Sequence, residues 1–417
     1  MTVRYALIHY FVSSASEKSP GLWYIMRTFL KIGSTSFGGF MLQISLIQKQ
    51  LVEKDRIFDE QQMFEGISLV SILPGPMSTN LVAYIGYRLK GLKGAIVAFS
   101  AVIIPCFLMI IGLSYIYFTY GDLPAVDKAL KGILPAVCGI ILSVSLNLAV
   151  KNIKKVWQAV VAVIASVVLI MVGGFITTIS IMILAALTGL LLSRKNVKTA
   201  ESLQATIYRK EHSIKPLMIF VVLVLILLTG IYILPFEKFS PLPETILHIR
   251  SVILHFSYSS VTLFGGGYVF IPALRELFVD QLHWLSQREF IDGIALGQVT
   301  PGPILISAGF IGYKVAGFWG SVAAVLAIFG PPATLTLILA RFFDRIRNSW
   351  VIRSAFMGIN PAVIGMVFAA FVIIGRSISF HWLQIVILII SFLLAYRRIV
   401  EVAFIILGAG IAGYLLA

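Results

Sequence analysis

One stretch of this chain is written twice. Residues 35–91 carry Thr35, Phe37-Gly38-Gly39, Glu65-Gly66, Pro74-Gly75-Pro76, Ile85-Gly86-Tyr87-Arg88 and Gly91. Residues 262–317 repeat the pattern with Thr262, Phe264-Gly265-Gly266, Asp292-Gly293, Pro301-Gly302-Pro303, Ile311-Gly312-Tyr313-Lys314 and Gly317. Subtraction gives an offset of 227 from Thr35 through Pro76 and 226 from Ile85 onward, so one residue is missing after Pro303. The smaller offset then matches Gly94 with Gly320, Pro105 with Pro331, Gly132 with Gly358 and Pro135 with Pro361. Such a sustained register marks a duplicated unit, and a duplication decides the architecture before any local pattern does.

Composition sets the solvent. The chain is 59% hydrophobic and 12% charged, where soluble domains run about 45–50% and about 25%. Uncharged runs at 95–121, 156–193, 216–236, 315–340, 354–375 and 377–396 reach or exceed the ~20 residues that span a bilayer. The fold class expected is an all-α polytopic membrane protein with about 10–13 membrane segments. The formal net charge of +15 does not point to nucleic acid. Its lysines and arginines cluster in short loops, as the cytoplasmic flanks of membrane helices do, and the excess also helps an anion approach.

Cys106 and Cys138 lie in apolar runs and read as core residues. No Cys or His spacing suits a metal, so neither a metal nor another cofactor is expected. Enzyme signatures such as HExxH, GxSxG or a Cys-His arrangement are missing, as is the phosphate loop of a primary pump.

Four regions follow: an interfacial segment at 1–20, a first copy at 21–193, a basic cytoplasmic linker with a connecting membrane helix at 194–243, and a second copy at 244–417. Within each copy a helix stops at Pro-Gly-Pro and another restarts. Two prolines remove two backbone donors, and the glycine permits an unusual turn. A re-entrant hairpin with Pro-Gly-Pro at its tip and a broken spanning helix both fit. The long apolar helix of the first copy begins beside Arg88, Lys90 and Lys93, whereas its counterpart ends at Arg341, Arg345, Arg347 and Arg353. By the positive-inside bias the two run in opposite directions. Two inverted-topology repeats are expected, with the N-terminus cytoplasmic and the C-terminus outside.

Inverted repeats with helices interrupted at matching positions point to a transporter site at the bilayer midplane. Helix breaks at that depth are tolerated only where protein or a polar cavity supplies partners. Helices restarting after Pro74-Gly75-Pro76 and Pro301-Gly302-Pro303 offer free N–H groups and positive dipole ends to an anion. Neutral donors come from Ser34, Thr35, Ser36, Ser78, Thr79, Asn80, Thr262, Thr300 and Ser307, and Phe37-Gly38-Gly39 and Phe264-Gly265-Gly266 complete the candidate site. The structural alternatives are a plain kink at Pro-Gly-Pro, a packing notch at Phe-Gly-Gly and back-bonded hydroxyls. Arg88 and Lys314 are equivalent cations that would draw a divalent anion, or else simple interfacial anchors. Lys31, a charge within an apolar segment, and the matched acids Glu65 and Asp292 are candidates for coupling to protons; helix-dipole complementarity explains the two acids as well.

At these residues the chain resembles the chromate ion transporter (CHR) family, in the long form that carries two units in one chain. The likeness rests on Ser34-Thr35-Ser36-Phe37-Gly38-Gly39, on Pro74-Gly75-Pro76 with Ile85-Gly86-Tyr87-Arg88, and on their second-copy counterparts. It implies a secondary transporter in the cell membrane that exports chromate and confers chromate resistance, with sulfate as a related anion. The second copy has Val261 and Leu263 where the first has Ser34 and Ser36, so unequal donor sets are expected, with the substrate nearer Ser34–Gly39 and Pro74–Asn80. An anion channel, or an importer of sulfate-like oxyanions, shares the same features. Protons or a counter-anion would drive the cycle, and a homodimer is one arrangement the sequence leaves open.

Overall fold

A computed structural model describes residues 20–36, 40–120, 124–192, 244–262, 267, 270–340, 350–376, 378, 381–397 and 399–416. Fourteen α-helices lie among them, seven in each copy. The first copy holds α1 (Leu22–Thr35), α2 (Phe40–Gln48), α3 (Glu60–Ile72), α4 (Met77–Tyr120), α5 (Pro124–Asn152), α6 (Val156–Val172) and α7 (Phe175–Leu192). The second holds α8 (Glu244–Thr262), α9 (Phe270–Arg275), α10 (Gln287–Val299), α11 (Ser307–Leu339), α12 (Trp350–Gly375), α13 (Trp382–Tyr396) and α14 (Val402–Leu416). The interfacial segment expected before Pro20 and the linker with its connecting helix at 194–243 lie outside the described residues.

Four helical stretches, Met77–Tyr120, Lys128–Asn152, Ile304–Leu339 and Ser354–Gly375, are long and apolar enough to cross a membrane. Shorter apolar helices accompany them at Val156–Val172, Ile176–Leu192, Trp382–Tyr396 and Phe404–Leu416. The chain is an all-α polytopic membrane protein. Large apolar side chains such as Leu108, Met171, Ile176 and Leu415 face outward, as a lipid solvent allows.

The duplication extends to backbone irregularities. Both α2 and α9 continue into six wide-turn residues, Lys49–Lys54 and Glu276–Gln281. Arg56 and His283 then both adopt φ 51°. The next helices start from equivalent capping boxes. In the first copy Asp59 accepts from the Gln62 amide at 2.7 Å while its own amide donates to the Gln62 side chain at 3.1 Å. In the second, Ser286 and Glu289 exchange the same pair of bonds at 3.2 and 2.8 Å. Reciprocal bonds of this kind satisfy two of the orphan donors at a helix start.

A feature the apolar runs conceal is the break in each long helix. Lys90 (φ −142°, ψ 28°) and Gly91 (φ 61°, ψ −151°) interrupt α4. Ala316 (φ −146°, ψ 31°) and Gly317 (φ 59°, ψ −147°) interrupt α11 in the same way. The left-handed φ suits glycine. After each break the chain folds back on itself. A Cβ on Gly86 would lie 2.4 Å from the Gly94 carbonyl oxygen, and one on Gly312 would lie 2.2 Å from that of Gly320. The short leg, 77–89 or 304–315, also folds back on the helix before it. A Cβ on Gly66 would sit 2.9 Å from the Tyr84 ring, and one on Gly293 would sit 2.4 Å from the Phe310 ring. Of the two arrangements left open, the packing is that of a hairpin with Pro-Gly-Pro at its tip.

The missing residue after Pro303 has a structural answer. The second short leg starts with a 3₁₀ turn at Ile304–Ile306. Such a turn rises about 2.0 Å per residue instead of about 1.5 Å, so three residues recover roughly the length of one.

The copies are interleaved. Helix α5 packs on α13 and α14 of the other copy, while α12 packs on α6 and α7. Small residues bring these backbones together: a Cβ on Gly132 would lie 2.0 Å from the Ala409 oxygen, and one on Gly365 would lie 2.0 Å from that of Ala162. The two long legs run antiparallel. Tyr117 and Phe118, near the end of α4, meet Phe310 and Tyr313, whereas Ala333 and Leu337, near the end of α11, cluster with Ala83, Tyr87 and Ala95. An inverted repeat requires this relation.

The glycine-lined hinges give a direct expectation. Gly312→Ala should cost about 1–3 kcal/mol through overpacking, read as a lower unfolding midpoint in detergent. Gly112→Ala, where a Cβ meets nothing within 4 Å, should be neutral or mildly stabilising. Equal shifts in both would contradict the hinge contact.

Candidate functional site

The two Pro-Gly-Pro tips are buried throughout. Each docks against the opposite copy. A Cβ on Gly302 (φ 111°) would lie 3.3 Å from Cβ and Sγ of Cys106, and one on Gly75 (φ 89°) would lie 2.4 Å from Pro332 and 3.4 Å from the Ser260 oxygen. Cys106 and Pro332 stand at the same register, 106 + 226 = 332. The Gly302 amide donates to the Ser36 carbonyl at 2.8 Å. Beside it, a Cβ on Gly33 would lie 2.6 Å from the Val102 oxygen. Each tip therefore sits in a notch between the end of α1 or α8 and the long leg of the other copy.

Three adjacent hydroxyls at the end of α1 part company here. Ser34 and Thr35 are exposed and bond back to the carbonyls of Leu30 and Lys31, each at 2.8 Å. Ser36 is fully buried, and its Oγ has no partner among the described residues. The first tip is braced from within. Asn80 Nδ2 donates to the Pro74 carbonyl at 3.0 Å, and Thr79 Oγ1 to that of Pro76 at 3.0 Å. Ser78 Oγ and Asn80 Oδ1 are left buried and unpartnered among the described residues. In the second copy Thr300 Oγ1 is spent on the Gly297 carbonyl at 2.8 Å. Ser307, four residues past Pro303 as Asn80 is past Pro76, has a buried Oγ without a described partner. The hydroxyls offered to a guest are thus Ser36, Ser78 and Ser307.

Arg88 and Lys314 stand at the hinge ends of their hairpins, away from the tips. Arg88 lies 5.9 Å over the Tyr84 ring. Lys314 pairs with Glu289 at 2.7 Å and lies 5.2 Å over the Phe118 ring. Burial pulls the Glu289 pKa upward, but its bonds to Lys314 and Ser286 prevail and hold it below the usual value. Lys31 is exposed on α1. Glu65 and Asp292 are both buried. Asp292 accepts from the Tyr117 hydroxyl at 2.8 Å across the two copies, with Arg288 3.8 Å away. Phe37, Gly38, Gly39, Phe264, Gly265, Gly266 and the Thr262 side chain lie outside the described residues. Sequence reasoning passed over Cys106, Pro332 and Tyr117. The register marks the first two, as neighbours of the matched Pro105 and Pro331, but nothing local marks Tyr117. No group of three or more metal-ligating side chains occurs among the described residues.

Two interleaved copies, each contributing a re-entrant tip buried inside a membrane-embedded core, define a membrane transport protein. The family model described as Chromate transporter matches residues 23–190 and 250–414, once in each copy. The chain belongs to the chromate transporter family. It is 28% identical over 401 residues to an uncharacterized transporter of Methanocaldococcus jannaschii, covering 96% of each chain. To a chromate transport protein of Cupriavidus metallidurans it is 26% identical over 396 residues, 93% of this chain and 92% of the relative. An uncharacterized transporter of Bacillus subtilis is 31% identical over 166 residues, 39% of this chain but 93% of that relative. No solved structure matches.

Proposed function

We propose that this protein is a secondary carrier for a tetrahedral oxyanion, chromate with sulfate as its chemical relative, working by alternating access. The observation that carries the reading is the pair of buried tips docked across the copies, with the Ser36, Ser78 and Ser307 hydroxyls left to bind a guest. Neutral donors and a helix N-terminus suit an anion, because they stabilise charge without a fixed counter-charge that would trap it. Antiparallel copies give the inverted frame in which two states exchanged by a pseudo-two-fold axis can alternate around one site. The chromate transport protein of Cupriavidus metallidurans supplies the cargo by analogy. Export from the cytoplasm is the direction proposed, in the cell membrane, with protons or a counter-anion coupled to it. Residues 21–193 and 244–417 act as the two halves, joined by 194–243.

The decisive experiment is radiolabelled chromate counterflow in proteoliposomes. A carrier shows trans-stimulation, and its absence would turn the reading to a channel. Gly75→Val and Gly302→Val, both at left-handed φ, should lower exchange about a hundredfold, the scale of a 1 Å misplacement, while membrane insertion is retained. Normal exchange in both would sink the site assignment. If Glu65 or Asp292 carries the coupled proton, Glu65→Gln or Asp292→Asn should flatten the pH profile for every anion alike. An unchanged profile leaves Asp292 as a latch to Tyr117. Terminal tags should report the N-terminus inside and the C-terminus outside, and tags on one side would overturn the topology.

A further inference from the structure

The second hairpin meets the first copy at both of its ends, and the two contacts differ in kind. At the tip the Gly302 amide bonds the Ser36 carbonyl, backbone to backbone. At the hinge end a cluster of side chains spans the copies. The Tyr117 hydroxyl, near the end of α4, donates to Asp292 Oδ2 of α10 at 2.8 Å, with Arg288 Nε 3.8 Å from the same oxygen. The Phe118 ring centre lies 4.8 Å from that of Phe310 and stacks on Tyr313 at 6.0 Å, 8° from parallel. Lys314 sits 5.2 Å over Phe118 and pairs with Glu289 at 2.7 Å. The Arg288 side chain is 63% exposed and that of Asp292 only 8%, while Phe310 is fully buried. The cluster thus runs from a wet rim to dry packing, as a plug does. Eleven residues (314 − 303 = 11) separate Lys314 from the tip. That is about 16 Å of helix, roughly half of a ~30 Å hydrocarbon core.

We propose that Tyr117 and Phe118 of the first copy, closed on Asp292, Glu289 and Lys314 of the second, form a gate over the tips. It is shut in this conformation and parts once in each transport cycle, opening the tips to the face that carries the second hinge. The proposal rests on the alternating-access reading above and assigns its barrier on that face, the outside in the proposed topology. The kind of contact supports a moving role. Elsewhere the copies are joined by backbone seams: a Cβ on Gly358 would lie 1.8 Å from the Ala185 oxygen, and one on Gly132 would lie 2.0 Å from that of Ala409. Close-packed seams part only if whole helices unpack. A tyrosine–carboxylate bond, an ion pair and a ring stack instead part by side-chain rotation and a small tilt of the hairpin. The charge set also belongs to one end of the molecule. Gln61 and Gln62 stand at the registers of Arg288 and Glu289 (288 − 227 = 61, 289 − 227 = 62), so the same carboxylate–ammonium pair is not repeated at Arg88.

The test is to tie the gate shut and then to loosen it. Phe118→Cys with Tyr313→Cys is bridged in proteoliposomes by a short, reducible bis-thiol reagent, and bridging is counted by peptide mass spectrometry. Labelled chromate counterflow should fall at least tenfold in the bridged protein and return once the bridge is cleaved and the reductant washed out. Each single-cysteine variant, treated alike, should be unaffected. A bridged protein exchanging at the unbridged rate would show a static brace and overturn the proposal. The loosening arm does not depend on transport. With Ser307→Cys as reporter beneath the cluster, a membrane-impermeant thiol reagent is applied from the second-hinge face, and the background of Cys106 and Cys138 is subtracted. Tyr117→Phe and Glu289→Gln should each speed labelling about tenfold, the worth of one hydrogen bond to a charged group in a two-state equilibrium. Glutamine keeps the capping box that Glu289 makes, so its effect reports the lost pairing with Lys314. Unchanged labelling in both variants would equally sink the gate. Faster labelling in a wild-type background that shows no counterflow would fail the carrier reading alone and leave the gate on a channel.

Discussion

A helix that breaks inside a membrane strands backbone groups that lipid cannot satisfy, and this fold answers each break with protein. Asn80 reaches back to the Pro74 carbonyl, and the Gly302 amide crosses to the Ser36 carbonyl of the other copy. The second bond makes the copies interdependent. A tip that finds its partner only in the opposite half cannot be buried until both halves are in place. The interleaved helices, the antiparallel long legs and the burial of the tips all presuppose that exchange.

Much of the secondary structure was legible because apolar runs bounded by charges and glycines leave few alternatives. The uncharged run at 156–193 divides into α6 and α7 at Gly173-Gly174, and the duplication fixed which elements correspond. The break at Lys90-Gly91 was not legible. A glycine at left-handed φ reads like any other glycine within an apolar run, and the close approach of Gly86 to Gly94 exists only in three dimensions. Likewise, three successive hydroxyls look interchangeable until helix phase decides that Ser36 points inward while Ser34 and Thr35 face out. The equivalence of Arg88 and Lys314 was plain, yet their distance from the tips depends on the hairpin length that separates them. The crossing of each tip into the opposite copy is a tertiary fact that no local pattern encodes.

The copies share a backbone but not a chemistry. Twin wide turns, capping boxes and hinges occupy equivalent positions, whereas the notch residues differ: Cys106 against Gly302 on one side, Pro332 against Gly75 on the other. Asn80 braces the first tip, whereas the second leads into a 3₁₀ turn at Ile304–Ile306. Duplication preserved the elements that hold the hairpins, and divergence fell on the side chains around the tips. A pseudo-symmetric frame thus carries two different sets of side chains at its tips.

The interleaving of α5 with α13 and α14 also governs the order of assembly. Residues 124–152 leave the ribosome long before their packing partners exist, so the glycine-lined face of α5 must wait for α13 and α14 to be synthesised. Until then the nascent first copy is incomplete, however well its own helices have inserted. The packing of α5 closes only with α13 and α14, and a chain truncated before α13 would lack the faces that complete it. A chain holding one copy alone and built on the same plan would have to borrow those helices from a second molecule inserted the other way up.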